Sequence, residues 1–345
     1  MSKRKIVVIV LALLLVVTAG TGYAFRGQIR AAIDTISGAD FEGQGVGKVE
    51  LKIESGDSGE VVAMKLVELG VTKNFSFTYK RIIARNPVFI PGTFTLRKGM
   101  SADAALDLIA DPASRLVNRV TVKEGLRIGN VVKVLSQETG IAVSEFDKAL
   151  SDPTVYGLPP KLKNLDGYLF PATYEIEPGA TAQSIVAQMI IRMQAEMKKF
   201  GVPVSDTHRV LTLASIIQKE ARITEDFYKV SRVFLNRIEI GMLLQSDATV
   251  SYGSGGTTVT TTDAERADPN GYNTYVHPGL PVGPIGAPGS VAIDAALNPA
   301  SGDWIYFCAV NLKTGETVFS NTYAGHAKAV KQWQQWMRDN PGWNG

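Results

Sequence analysis

The stretch Leu211-Thr-Leu-Ala-Ser-Ile-Ile-Gln-Lys-Glu-Ala-Arg222 constrains the fold more than any other part of the chain. Its apolar residues recur with helical period, so it reads as a helix that buries one face in a core. One carboxylate, Glu220, falls beside that face. On a helical wheel Val210, Leu213, Ala214, Ile217 and Ala221 form one stripe, and Glu220 lies roughly 60° from its centre. Gln218 lies on the other flank and Lys219 points away. A carboxyl at the margin of an apolar stripe loses water, which disfavours its charged form and raises its pKa. Such a carboxyl stays protonated near neutrality and can act as a general acid. The alternative is a carboxylate paired with a basic residue such as Arg222 or Arg237. Periodicity alone leaves both readings open.

Polar residues of distinct types follow at close intervals. Gln245 and Asp247 alternate after the apolar Met242-Leu-Leu244, so on an extended segment they point to one side. With Thr249 they could hydrogen-bond sugar hydroxyls or amides; a turn or helix start at Asp247 is the competing reading. Asn273 and Tyr275 also alternate, in a loop stiffened by Pro278, Pro281 and Pro284. The segment from Gly253 to Gly289 is rich in Gly, Pro, Thr and Asn. It is too long for an idle connection and reads as a loop lining a substrate site. Arg232 and Arg237 read as a solvated helix face or as partners for a nearby acid. His326 reads as orienting a site residue or as part of a helix start after Asn321-Thr322, with the structural role favoured. Tyr168, Phe170 and Tyr174 read as core.

The N-terminus carries a second signal. Lys3-Arg4-Lys5 precedes an uncharged run from Ile6 to Phe25, and about 20 such residues span a bilayer as a helix. The basic cluster argues that this end stays in the cytoplasm and the remainder is exported, although Arg26 and Arg30 lie on the far side. A cleaved signal peptide is the rival. The run is long for one and lacks a clean small-x-small cleavage site, so a retained anchor is favoured. The net charge of +3 is too small to argue for nucleic acid, and no basic stripe with interleaved aromatics is present. Cys308 is the only cysteine, so no intrachain disulfide forms, and it reads as a core residue of a strand. His208, His277 and His326 form no close-spaced set, so no metal or other cofactor is expected.

The 345 residues suffice for about two domains. The expected order is a cytoplasmic tail over 1–5, a transmembrane helix over 6–25, a Gly-rich linker over 26–47, a small βα module over 48–111 and a larger α+β domain over 112–345. The fold class is α+β. Helices are expected near Gly59 to Leu69, Ala102 to Ala110, Ile128 to Thr139, Ser144 to Ser151, Ala182 to Phe200 and Phe227 to Ile240, with a last one from His326 to Arg338. Phe75 to Tyr79 reads equally as strand or helix.

Leu213-Ala-Ser-Ile-Ile-Gln-Lys-Glu220 resembles the "ASIVEKE" signature of the YceG-like (MltG) endolytic murein transglycosylases. The likeness runs on through Val233-Phe-Leu-Asn-Arg237, Gly241-Met-Leu-Leu-Gln-Ser-Asp-Ala-Thr-Val250, Tyr252-Gly253, Tyr272-Asn-Thr-Tyr275, Gly279-Leu-Pro281, Pro284-Ile285, Asn298-Pro299 and Tyr306-Phe307, to Asn321 and His326. Leu165-Asp-Gly-Tyr-Leu-Phe-Pro171 looks like the family's "LEGYLFPDTY". An anchor followed by a LysM-like module, here 48–111, is also similar. The family signature often carries two glutamates, two residues apart; here the first is Gln218. The resemblance implies cleavage of the MurNAc-β-1,4-GlcNAc bond within nascent glycan strands, leaving 1,6-anhydro ends and terminating elongation. It implies Glu220 as the catalytic residue, and Gln218, Gln245, Asp247, Asn273, Tyr275 and Asn321 as substrate-binding. It implies glycan strands as partner, with the cytoplasmic membrane and peptidoglycan synthases beside them, and a catalytic domain outside the cytoplasm. A muramidase that uses Asp247 as its second carboxylate, and a silent membrane-anchored glycan-binding scaffold, are the rival readings.

Overall fold

A computed structural model describes residues 40–162, 164–256 and 261–342. The expected cytoplasmic tail and transmembrane helix, and the linker up to residue 39, lie outside the described residues. No helix among the described residues is long and apolar enough to cross a membrane. The fold is mixed α+β, with helices and three two-stranded antiparallel sheets. The chain divides into two units, the first ending at Val117 and the second starting at Asn118.

In the first unit β1 (Gln44–Ile53) pairs antiparallel with β2 (Gly92–Met100), and α1 (Gly59–Glu68), α2 (Phe75–Arg85) and α3 (Ala102–Ala110) pack around them. Alternation along β1 turns Leu51 and Ile53 inward, onto Val62, Leu66, Phe94, Leu96 and Ile109. Each helix opens on a polar cap: Ser58 accepts from Val61 N, Asn74 from Phe77 N and Ser101 from Ala104 N. The cap at Asn74 settles the ambiguous Phe75–Tyr79 segment as helix, with Phe75, Thr78 and Ile82 buried at helical spacing. The composition of 38–47 predicts linker, yet β1 already begins at Gln44. A register shift between Val46 and Val49, with Gly45 and Gly47 at positive φ, lets a Gly-rich sequence join the ladder.

The second unit starts with β3 (Asn118–Thr121), paired to β4 (Thr173–Ile176), and then α4 (Ile128–Thr139) and α5 (Val143–Leu150). The long α6 (Ala182–Lys199) opens on a capping box between Thr181 and Ser184. It is followed by α7 (Thr207–Glu220), α8 (Thr224–Glu239), α9 (Asp247–Gly253), α10 (Asp263–Ala267) and α11 (Ser290–Leu297). The hairpin β5 (Tyr306–Asn311) and β6 (Glu316–Ser320) precedes α12 (Tyr323–Asp339). Along β5 only Val310 is buried, so Cys308 is half-buried rather than core.

The single stripe expected on α7 is too narrow. Every residue from Val210 to Ile217 is buried, because α8 and α11 cover the helix from different sides. Only its last turn emerges, and that is where Gln218, Lys219 and Glu220 stand. Gly167 brings the Leu165–Pro171 segment against the 284–286 strap. Its φ is +79°, and a Cβ there would lie 2.6 Å from Pro284 Cβ, so only glycine fits.

Candidate active site

Glu220 is the last residue of α7, and Ala221 turns the chain to extended backbone immediately after it. Its Oε1 accepts a 2.6 Å hydrogen bond from Ser246 Oγ. Its Oε2 takes no hydrogen bond from any described residue and is left open. Burial pushes the Glu220 carboxyl up from its usual value; the Ser246 bond opposes this, the charge of Asp247 adds to it, and that of Arg237 opposes it. The helix end works in the same direction as burial, since the negative end of the helix dipole disfavours a carboxylate. No ion pair joins Glu220 to Arg222 or Arg237, the alternative left open by the sequence. Arg222 binds Leu312 O instead.

Two other carboxyls, Asp166 and Asp226, are also pushed up by burial. Asp166 takes Ile128 N at the start of α4 on Oδ1 and Tyr252 Oη on Oδ2, so it ties α4 to the end of α9. Asp226 sits in the first turn of α8, with Oδ1 3.9 Å from Lys229 Nζ and Oδ2 buried without a hydrogen-bond partner. Glu220 differs from both in that its free oxygen, Oε2, is not buried.

Asp247 stands beside Glu220, but not as alternation predicts. Gln245 has a φ of +49°, in the left-handed region, and Asp247 is the first residue of α9, so the two share no strand. The turn is held by Gln245 N and Ser246 N, which donate to Thr274 O and Thr274 Oγ1. Gln245 itself is exposed and free to meet a ligand. Asp247 Oδ1 accepts from Thr261 Oγ1 at 2.7 Å and from Tyr275 Oη at 2.9 Å, with Arg266 Nε at 3.7 Å. The Tyr275 phenol is pushed up to about 12, first by burial and then by Asp247. It remains a hydrogen-bond donor across ordinary pH.

Three expected ligand contacts are engaged elsewhere. Asn273 is fully buried, and its amide donates to the carbonyls of Glu265, Arg266 and Asp268 while its Oδ1 accepts from Tyr275 N. It therefore shapes the loop that presents Tyr275. Gln218 Oε1 accepts from Gly289 N, the cap residue of α11. Two residues apart on a helix is about 200° of rotation, so Gln218 and Glu220 face different surroundings. Asn321 is exposed and donates to Asp303; no described hydrogen bond joins it to the Glu220 group.

Sequence reasoning passed over Ser246 and left Arg237 as either a solvated face or a partner for a nearby acid. Arg237 is buried. It donates to Ile305 O at 2.6 Å and Leu244 O at 2.7 Å, and its guanidinium lies 5.5 Å from the centre of the Tyr306 ring. His326 stacks on Tyr306 at 5.2 Å, and burial first, then Arg237, push its imidazole down. Arg237, whose charge acts on Glu220, thus joins Tyr306 and His326 in one cluster. The signal for Arg237 was its place on the apolar side of α8, with Val230, Val233 and Phe234.

The sequence profile of the YceG-like family matches residues 51–332. The chain belongs to the YceG-like family. It is similar to the endolytic murein transglycosylase of Bacillus subtilis (strain 168), 33% identical over 311 residues, 83% of this chain and 84% of that protein. It is also similar to the endolytic murein transglycosylase of Streptococcus pneumoniae serotype 2 (strain D39 / NCTC 7466), 26% identical over 324 residues; the match takes in 82% of this chain and 58% of that longer protein. Among solved structures it resembles a YceG-like protein of Listeria monocytogenes, with a TM-score of 0.54 and 28% identity over 82% of this chain and 99% of that one. Within this YceG-like chain the glutamine at the signature's first position costs no carboxyl in the Glu220 group, because residue 218 serves the α11 end.

Proposed function

We propose that this chain is an endolytic peptidoglycan lytic transglycosylase, a lyase that cleaves the MurNAc-β-1,4-GlcNAc bond inside glycan strands. Membership of the family and the names of its relatives support the reaction class. The observation that carries the chemistry is Glu220, a carboxyl raised by burial with one oxygen held by Ser246 and the other open. Such a group can be acid and base in turn. As acid it gives its proton to the glycosidic oxygen while the bond from that oxygen to C1 breaks. As carboxylate it then takes the proton of the MurNAc 6-hydroxyl, whose oxygen closes on C1. Glu220 ends as it began, and no water is consumed. Asp247, with Tyr275 and Thr261 donating to it, stands where a negative charge opposes the oxocarbenium-like charge at C1. Gln245, exposed beside them, is the candidate for holding a sugar substituent.

The β1–α1–α2–β2 unit with its own core supports a LysM-like, glycan-holding role for the first part of the chain. The basic cluster and the uncharged run over 6–25 support an inner-membrane anchor with the catalytic unit outside the cytoplasm. Mass spectrometry of digested glycan strands tests the reading. Anhydro ends are expected. Reducing ends make the protein a muramidase, and no new ends with retained pelleting on peptidoglycan make it a binding scaffold.

A further inference from the structure

Ser246 is nearly inaccessible, at 3% exposure, and every polar atom around it is spoken for. Its N donates to Thr274 Oγ1 at 3.1 Å, and its carbonyl accepts from Thr249 Oγ1 at 2.7 Å. Thr249 and Thr274 are themselves joined through their hydroxyls at 2.8 Å. The residue before it is forced into the left-handed region, a conformation that persists only where the surroundings over-determine it. All of this fixes the position of one hydroxyl, and that hydroxyl points at Glu220 Oε1. The two oxygens of the carboxyl are therefore not equivalent. Oε1 is held by a donor that has no freedom to leave, and Oε2 takes nothing from any described residue.

We propose that Ser246 is a positioning residue for the reaction, pinning Glu220 through Oε1 and so making Oε2 the oxygen that carries the proton. The inference rests on the reading of Glu220 as acid and base. It explains how one group serves both halves of the reaction. Burial and the helix end favour the protonated carboxyl needed to break the bond. A fixed donor on Oε1 favours the carboxylate needed to accept the proton of the 6-hydroxyl. Ser246 balances the two states while leaving the second oxygen, and its lone pairs, for the substrate. Glu220 has no other hydrogen-bond donor among the described residues to do this.

The test compares Ser246→Ala, Ser246→Thr and Glu220→Gln in the full chain, on isolated glycan strands, counting anhydro ends by mass spectrometry across pH. Ser246→Ala is expected to lower kcat roughly ten- to a hundredfold with KM within about threefold, as for loss of a charge-assisted bond. Its alkaline limb of kcat should move up by roughly half a unit to one unit, because the carboxylate has lost its donor. Threonine, which keeps the hydroxyl, should restore kcat to within about threefold and return the limb. If Ser246→Ala does not fold by its thermal melt, Ser246→Cys keeps the volume with a poor donor and should show the same upward limb. An unchanged limb in folded Ser246→Ala or Ser246→Cys, whatever its kcat, overturns the proposal. Full activity in Glu220→Gln overturns the underlying reading instead, independently of the serine variants.

Discussion

The phenol of Tyr275 donates to Asp247 Oδ1 at 2.9 Å, across the mouth of the turn that carries Ser246. The bond fixes the Asp247 carboxyl beside Glu220. Tyr275→Phe keeps the ring, and with it the Arg266 guanidinium 5.6 Å from its centre, but deletes the donor. A lost bond to a charged group is worth about 1.5–3 kcal/mol, so kcat should fall roughly ten- to a hundredfold. KM on glycan strands should move much less. Steady-state kinetics on size-fractionated strands separate the two; a pure KM effect would place Tyr275 in ground-state binding.

Asn273 offers a test of stability rather than chemistry. Its side chain satisfies three loop carbonyls and one backbone N–H with no access to water. Asn273→Ala removes these hydrogen bonds together and should cost about 2–4 kcal/mol. The midpoint of a urea unfolding curve should drop accordingly, and activity should fall because Tyr275 loses its anchor. An unchanged midpoint would mean that the loop re-pairs these groups at no cost.

Helix ends were legible because they rest on local chemistry. Ser101 and the left-handed glycines at 140, 201 and 241 mark their helices in the sequence as they do in space. The site was legible only in part, because its geometry is made by distant partners. Nothing local tells that Gln245 adopts positive φ, and that conformation is what breaks the alternation with Asp247. Ser246 reads as one small polar residue among several until the fold brings it to Glu220, 26 positions away. The short, Ala-rich α11 has too few turns to show a period, and it is the element that occupies Gln218 and buries the flank of α7. For Arg237 a solvated face or an acid's partner were the open readings because buried charge is rare; here backbone carbonyls of Leu244 and Ile305 take its donors.

Gln218→Glu restores the second carboxylate that the family signature often carries. The new carboxylate would inherit the bond from Gly289 N at the start of α11, where the helix end favours a negative charge and the Glu124 carboxyl close by opposes it. It would not face the cleft that Glu220 faces. Activity should stay within about threefold of the parent, with an unaltered pH profile. A large gain in kcat would show that residue 218 reaches the reacting sugar, and would reopen the assignment of Glu220.

Glu220→Gln should abolish formation of anhydro ends and also change how stability depends on pH. The folded carboxyl is raised above its ordinary value of 4.5, first by burial. Between the unfolded and the folded pKa the native state binds more protons than the unfolded chain, so stability falls as pH rises through that window. Below the unfolded pKa the carboxyl is neutral in both states and costs nothing extra. Above the folded pKa the full penalty of a buried charge at a helix end is present. Glutamine keeps the shape and can still accept from Ser246, without that penalty. The variant's Tm should therefore match the parent's below the unfolded pKa and exceed it increasingly as pH rises through the folded one. Melts across that range check it: parallel Tm curves for the two proteins would mean that Glu220 titrates alike in the folded and unfolded chain, and that the fold does not prepare it as an acid.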